Sequence, residues 1–321
     1  MNRLRNGATS FESAVDAVVN GDTVMLKRLL RRNPRLIRAR SRRKHRATLL
    51  HYIGANGVEA DRQKTPRNAV RIAEVLLRAG ADVNAVGDMY GCSTALGLVA
   101  TSVHPQRAGL QNDLIDVLLR NGAKLSSGAT SDKHRGSLIN ACLANGQGRA
   151  AVHLAKRGAP LDLEGAAGIG RTALVKSFFK NGRLRTTATR EQMTAGFIWA
   201  CEYGHKNIVD FFLRRGIDVT ARHRGQTGLH WAAHNGHAGI VKLLLKRGTA
   251  VNIKDGTFDG TPLDWALHGW AEASPEGRRS LYPEVVALLA DAGAKVDLTG
   301  LIGKKVRSDR RMLAALKPTR R

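Results

Sequence analysis

The stretch from Gly225 to Asn252, GQTGLHWAAHNGHAGIVKLLLKRGTAVN, constrains the fold more than any other part of the chain. Leu229, Ala232 and Ala233 recur at helical spacing, Gly236 interrupts the helix, and Ile240, Val241, Leu244 and Leu245 make a second apolar stripe. The pattern predicts a short helical hairpin. Gly225 and Thr227 supply a turn and a start signal for the first helix. Gly248 follows the cations Lys246 and Arg247, where a left-handed C-cap closes the second.

With Leu229 as anchor, the hairpin becomes a ruler that the rest of the chain can be held against. Small residues fall three and four positions on, glycine at seven, an aliphatic residue at twelve, large apolar residues at fifteen and sixteen, and glycine at nineteen. Phe197 begins a full match through Ala200, Cys201, Gly204, Val209, Phe212, Leu213 and Gly216. Leu163 begins another through Ala166, Ala167, Gly170, Val175, Phe178, Phe179 and Gly182. Ala14 leads to Ala17, Val18, Gly21, Leu26, Leu29 and Leu30, with Asn33 in the last place. The segments Leu50 to Gly80, Leu96 to Gly122, Leu138 to Gly158 and Leu263 to Gly293 fit with additions between their helices. About eight units are expected, anchored at 14, 50, 96, 138, 163, 197, 229 and 263. One such unit cannot bury its own apolar face, so neighbours must share a core. The prediction is an all-α solenoid of helix-turn-helix units with short finger loops over residues 1–298, followed by a basic tail over 299–321.

These units resemble the ankyrin repeat over roughly Ser10 to Leu298, with the copies at Leu229 and Phe197 matching best. RATLLHYIGANGVE (Arg46 to Glu59) and YGCSTALGLVATSVHP (Tyr90 to Pro105) are also similar to a bacterial group of ankyrin-repeat proteins with no assigned activity. The resemblance implies a non-catalytic protein-binding scaffold; a monomer without cofactor or metal is expected. In that family the ligand meets the finger tips and the two positions before the turn glycine on the concave face. Carried over, these are Glu202 and Tyr203, His234 and Asn235, and the finger residues Arg222, His223 and Arg224.

Charge is the second strong signal. The formal net charge is +26, and two segments carry 18 of it. Lys27 to Arg46 holds eleven Lys or Arg and no acid; Gly300 to Arg321 holds eight against Asp309. Arg38, Arg40, Arg42, Arg43, Lys44 and Arg46 cluster in the link to the second unit, which the resemblance makes a projecting finger. Such a patch binds polyanions by counterion release or steers an acidic protein surface. It carries no aromatic residue for base stacking, so nucleic-acid binding here is expected to be non-specific and salt-sensitive. Within the tail, Met312, Leu313 and Leu316 fall at helical spacing and predict a short capping helix.

Several motifs have plainer readings. Gly165 to Thr172 imitates a phosphate-binding loop with Arg171 in place of lysine, but the same residues sit on the repeat ruler and APLDLE before them makes a poor buried strand. His230, His234 and His237 share a helical spacing that two metal ligands use, yet no third ligand or catalytic glutamate accompanies them. His230 and His237, with His51, resemble the repeat family's own structural histidines; Asp264 takes that place in the last unit. Trp199, Trp231 and Trp265 lie two positions after their anchors, as Tyr52 does, and are expected to pack between neighbouring first helices. The additions near Asp61 to Asn68, Thr101 to Leu110 and Trp270 to Tyr282 read as loops, with Pro66 and Pro283 restarting second helices. Cys92, Cys142 and Cys201 are too scattered for a disulfide framework, which favours reduced packing residues and the cytoplasm. The longest apolar runs, such as Val285 to Ala290, fall far short of the roughly 18 residues that cross a bilayer. The start, MNRLRNGATSFESAVDAVVNGD, is broken by Asp16 and Asn20 and reads as a repeat helix, not a signal sequence.

Overall fold

The computed structural model describes residues 2–55, 59–90, 93–125, 137–273 and 277–317. The chain forms two compact units, Met1–Leu161 and Asp162–Arg321. In the first, α1 (Asn2–Asn20) pairs with α2 (Thr23–Arg32), and a 3-10 segment (Leu49–Gly54) pairs with α3 (Ala69–Arg78). A two-residue antiparallel hairpin, β1 (Val86–Gly87) and β2 (Ser93–Thr94), precedes α4 (Ala95–Thr101). The short α5 (Val103–Arg107) connects α4 to α6 (Gln111–Arg120), and α7 (Leu138–Ala144) pairs with α8 (Gly148–Lys156).

The second unit begins with α9 (Leu163–Gly168) and α10 (Thr172–Ser177), then the hairpin β3 (Phe179–Lys180) and β4 (Arg183–Leu184). Next come α11 (Arg190–Glu202) with α12 (Lys206–Arg214), and a finger hairpin β5 (Arg222–His223) and β6 (Gln226–Thr227). The pairs α13 (Gly228–His234) with α14 (Ala238–Lys246) and α15 (Pro262–Glu272) with α16 (Tyr282–Asp291) follow. The unit ends in α17 (Gly300–Ser308) and α18 (Arg310–Ala315).

Burial explains why these short helices persist. The anchors Ala14, Leu50, Leu96, Leu138, Leu163, Phe197, Leu229 and Leu263 are all buried. Burying one such leucine or phenylalanine is worth roughly 1.5–3 kcal/mol, which no helix this short supplies from its own hydrogen bonds. The first helices also start alike. Asp162 accepts the Gly165 N–H at 2.7 Å, Thr94 that of Gly97 at 3.2 Å, and Thr189 that of Gln192 at 3.2 Å. Each satisfies a donor that the helix start leaves open.

At Thr48 and Thr227 the cap is reciprocal. His51 Nδ1 accepts from the Thr48 N–H and hydroxyl, and His230 Nδ1 from those of Thr227. The opposite nitrogens then donate onward, His51 to Ser93 O at 3.1 Å and His230 to Ile253 O at 3.1 Å. Asp264 makes the same cap with Thr261 through its carboxylate. Both ring nitrogens of His230 are thereby spent inside the protein. Among the described residues no group of three His, Cys, Asp or Glu is placed to hold a metal.

The second unit also locks turn to turn. His205 donates to Gly168 O at 3.0 Å and His237 to Glu202 O at 2.8 Å. The turn glycines face these rings: a Cβ on Gly204 would stand 2.8 Å from His237 Cε1, and its φ of 81° is left-handed. Glycine is required twice over, by conformation and by space.

Four sequence expectations change. The unit at Leu163 matches the ruler only as far as Val175; α10 ends at Ser177, and Gly182 turns a hairpin instead of capping a helix. Asn181-Gly182, both at positive φ, is the strongest short hairpin signal, and it prevails over the helical ruler. The first helix at Leu50 is a six-residue 3-10 segment, closed by Ala55 in the left-handed region. Pro66 does not open α3, which starts at Ala69, whereas Pro283 does lie in the first turn of α16. The tail forms two helices, not one: α17 and α18 pack on α15 and α16 and bury Val306 and Met312. Cys92 and residues 318–321 lie outside the described residues; Cys142 and Cys201 are buried free thiols.

Candidate functional site

The expected partner-binding residues of the second unit fall into two contact groups. In the first, the finger hairpin turns at Arg224 and Gly225, both at positive φ, and lays His223 edge-on against Trp199 at 5.1 Å. Arg224 lies over the Trp199 ring, 5.7 Å from its centroid. The Trp199 indole donates to Glu164 Oε1 at 2.8 Å, which anchors it in α11 with 3 % exposure. Arg222 is spent on the scaffold: its guanidinium donates to Gly225 O at 2.7 Å and to Lys254 O at 2.8 Å, tying one finger to the next loop.

Glu202 and Tyr203 close α11. Glu202 was expected on an open face and is instead buried, with Oε2 lacking a hydrogen-bond partner. Burial pushes its carboxyl up to about 8, and Arg224 pulls the other way. The cause is position: Glu202 falls on the last turn of a helix whose preceding nine residues include eight buried ones, so little solvent reaches it. His223 Nε2 is likewise buried without a partner, and burial, then Arg224, hold that ring below its ordinary value.

The second group is aromatic. Trp231 and Trp265 meet edge-to-face at 4.9 Å, and His234 sits against both, at 6.0 and 5.6 Å. His234 donates from Nδ1 to Trp265 O at 3.3 Å and stacks on His268 at 5.8 Å. Asn235 donates to Trp231 O at 3.2 Å and accepts from Arg278 at 3.4 Å. The tryptophans therefore do pack between first helices, but Trp231 and Trp265 are only half-buried. The Trp265 indole donates to Asp255, whereas no hydrogen bond within the described residues takes the Trp231 indole N–H.

Sequence reasoning missed Phe258, which is 75 % exposed and packs its ring 6.3 Å from Trp265. Asp255 organises that loop by accepting N–H groups from Thr257, Phe258 and Gly260 at 2.7–2.9 Å. Burial opposes its charge, yet the hydrogen bonds from Phe258 and Trp265 and the others hold the Asp255 carboxyl down at about 2. The signal was present in KDGTFDGT, an aromatic between two Asp-Gly turns.

The basic segment of the first unit is divided. Pro34–Arg38 is a 3-10 segment, after which Arg40 donates to Arg46 O and Val86 O, and Arg43 pairs with Glu59 at 2.7 Å. Glu59, whose side chain is 4 % exposed, also takes Arg62 at 2.9 Å and the Tyr52 hydroxyl at 2.8 Å. These two cations hold the loop down. Arg38, Arg42, Lys44 and Arg46 are exposed, and no ion pair among the described residues reaches Arg38, Lys44 or Arg46. No strand immediately precedes Gly165 to Thr172, whose residues belong to α9, the turn at Gly170 and α10.

The family model described as ankyrin repeats (3 copies) matches residues 163–255 and, overlapping, 197–299. No curated protein matches the sequence. Among solved structures, the human ASB11 ankyrin repeat domain is similar at 20% identity over 88% of this chain and 99% of that one, with a TM-score of 0.42. No described helix is long and apolar enough to cross a membrane. Residues 163–299 of this chain are therefore ankyrin repeats.

Proposed function

We propose that the protein is a non-catalytic scaffold whose protein partner docks on the finger-bearing side of the second unit, over Arg224, His223, Tyr203, His234, Asn235 and the aromatic group. Ankyrin repeats are in general protein–protein interaction modules, which supports the class. The observation that carries the surface is the run of half-exposed and exposed rings, Trp231, Trp265 and Phe258, with an uncommitted indole N–H at Trp231. Tryptophan, tyrosine and arginine are enriched among the few residues that carry most of an interface's binding energy. On this reading the protein is a cytoplasmic monomer, in which Cys142 and Cys201 are buried free thiols used for packing.

The test is affinity capture from cytosol treated with nuclease, comparing the protein with Trp231→Ala and Phe258→Ala variants. A protein retained by the parent and released by both variants supports the surface. Equal retention by all three moves the site elsewhere. A second reading, charge-driven polyanion binding, is favoured by the free cations Arg38, Lys44 and Arg46. It predicts retained material that disappears with nuclease or with Arg38→Glu and Lys44→Glu.

A further inference from the structure

The place where the repeat ruler fails leaves an unusual surface. The β3–β4 hairpin stands where the end of a second helix was expected, and two adjoining clefts of ≈ 510 and ≈ 500 Å³ open beside it, sharing Phe179, Gly182 and Arg215. Their floor is apolar: Leu184 and Met193 in one, Phe211 in the other, with Phe179 in both. The rim is cationic, with Arg183, Arg185 and Arg190 on one side and Lys176 and Arg214 on the other. No carboxylate lines either cleft. Arg214 is paired with Asp210, but no ion pair among the described residues reaches Lys176, Arg183, Arg185, Arg190 or Arg215.

We infer that this hairpin cleft is a second docking site, separate from the finger surface, for an acidic peptide segment carrying an apolar anchor side chain. Unpaired arginines gathered at a rim repel one another, and a ligand that brings carboxylates relieves this while meeting guanidinium groups in bidentate geometry. The floor selects the class of polyanion. Phe211 carries Arg215 on its ring at 5.1 Å and meets Phe179 in a T-shaped contact at 5.1 Å, so its surface is committed to packing. A nucleic-acid strand needs a free ring face on which to stack its bases. A peptide needs only an apolar recess for one side chain, which Phe179, Leu184 and Met193 provide.

The probe is a fluorescein-labelled peptide, Glu-Glu-Glu-Phe-Glu-Glu-Glu, titrated into the full chain and followed by anisotropy. Expected is saturable binding that weakens at least about tenfold in the Arg183→Glu, Arg185→Glu, Arg190→Glu variant and stays within about twofold for Arg310→Glu, Arg311→Glu. Replacing the peptide's phenylalanine by glycine is expected to weaken it by a similar factor. Amide hydrogen exchange on the unmodified chain gives a readout that survives misfolding of a variant: protection should gather at residues 179–193 and 211–215. Absence of binding, indifference to the triple reversal or to the missing phenylalanine, or protection elsewhere overturns the proposal. So does a labelled oligothymidylate that binds more tightly and loses affinity in the same variant, which assigns the cleft to nucleic acid.

Discussion

Replacing Glu202 by glutamine preserves the shape of a side chain that is 8 % exposed while removing its ability to ionise. Burial raises its carboxyl from an ordinary 4.5 to about 8. Because the folded value lies above the unfolded one, folding favours the protonated form. That contribution is complete below pH 4.5, falls as the pH rises, and is gone above about 8. The span of about 3.5 units corresponds, at 1.36 kcal/mol per unit, to about 5 kcal/mol in full and to about 4 kcal/mol between about pH 5 and pH 9. Glutamine does not titrate, so the Glu202→Gln variant should gain on the parent by that amount over the same interval. Urea unfolding followed by tryptophan fluorescence measures the difference, since Trp199 stands within one helical turn on α11. A carbon-13 resonance of the Glu202 carboxyl should titrate near pH 8. Parallel pH profiles, or a carboxyl titrating near 4.5, would refute the claim that this side chain is walled from solvent.

Three further outcomes are expected. Burial holds His51 down at about 4, below its ordinary 6.5, so its neutral ring stabilises the fold fully above pH 6.5 and about 3 kcal/mol is lost as the pH falls through 4; an NMR titration placing the ring near 6.5 contradicts this. Leu229→Ala should cost about 2–5 kcal/mol in chemical denaturation, against under about 0.5 kcal/mol for Leu301→Ala, whose side chain is 78 % exposed. Gly204→Ala and Gly248→Ala both place a Cβ at positive φ, at about 1–2 kcal/mol each, but only the former meets a ring. Gly204→Ala should therefore be the more damaging by denaturant midpoint, and equal losses would show that His237 yields freely.

The legible part of the fold is the part enforced by burial and caps. Leu229, Ala232 and Ala233 are fully buried because their spacing admits no other face to the core, and Thr227 could be read as a cap from its type and place. What escaped the sequence depends on residues far apart along the chain. Glu59 becomes a buried carboxylate because Arg43, Arg62 and Tyr52 converge on it, and that convergence leaves no local pattern. The burial of Glu202 is of the same kind. The hairpin at Asn181 and Gly182 is a different failure: the local signal was present, but a longer-range ruler outweighed it although α10 offered few apolar residues to hold a full helix.

That contrast bears on where recognition resides. Residues that repeat along the chain are consumed in holding it together, as His230, His237 and Asn252 are; Asn252 donates to Gly293 O at 3.0 Å and accepts from Lys295 at 2.8 Å, just as Asn84 does with Gly122 and Lys124. Such residues are tied into the scaffold by these bonds. Groups left uncommitted lie mostly where the pattern breaks, Phe258 on its Asp255-braced loop and Arg183, Arg185 and Arg190 around the β3–β4 hairpin, with the Trp231 indole N–H added from a repeating position. The neighbouring tryptophans are also held in place before any partner arrives, Trp265 by Asp255 and Trp199 by Glu164. Ordering already achieved in folding is not charged again on binding. On the function proposed above, the regular part of the repeats fixes the geometry, and the irregular part is left to choose the ligand.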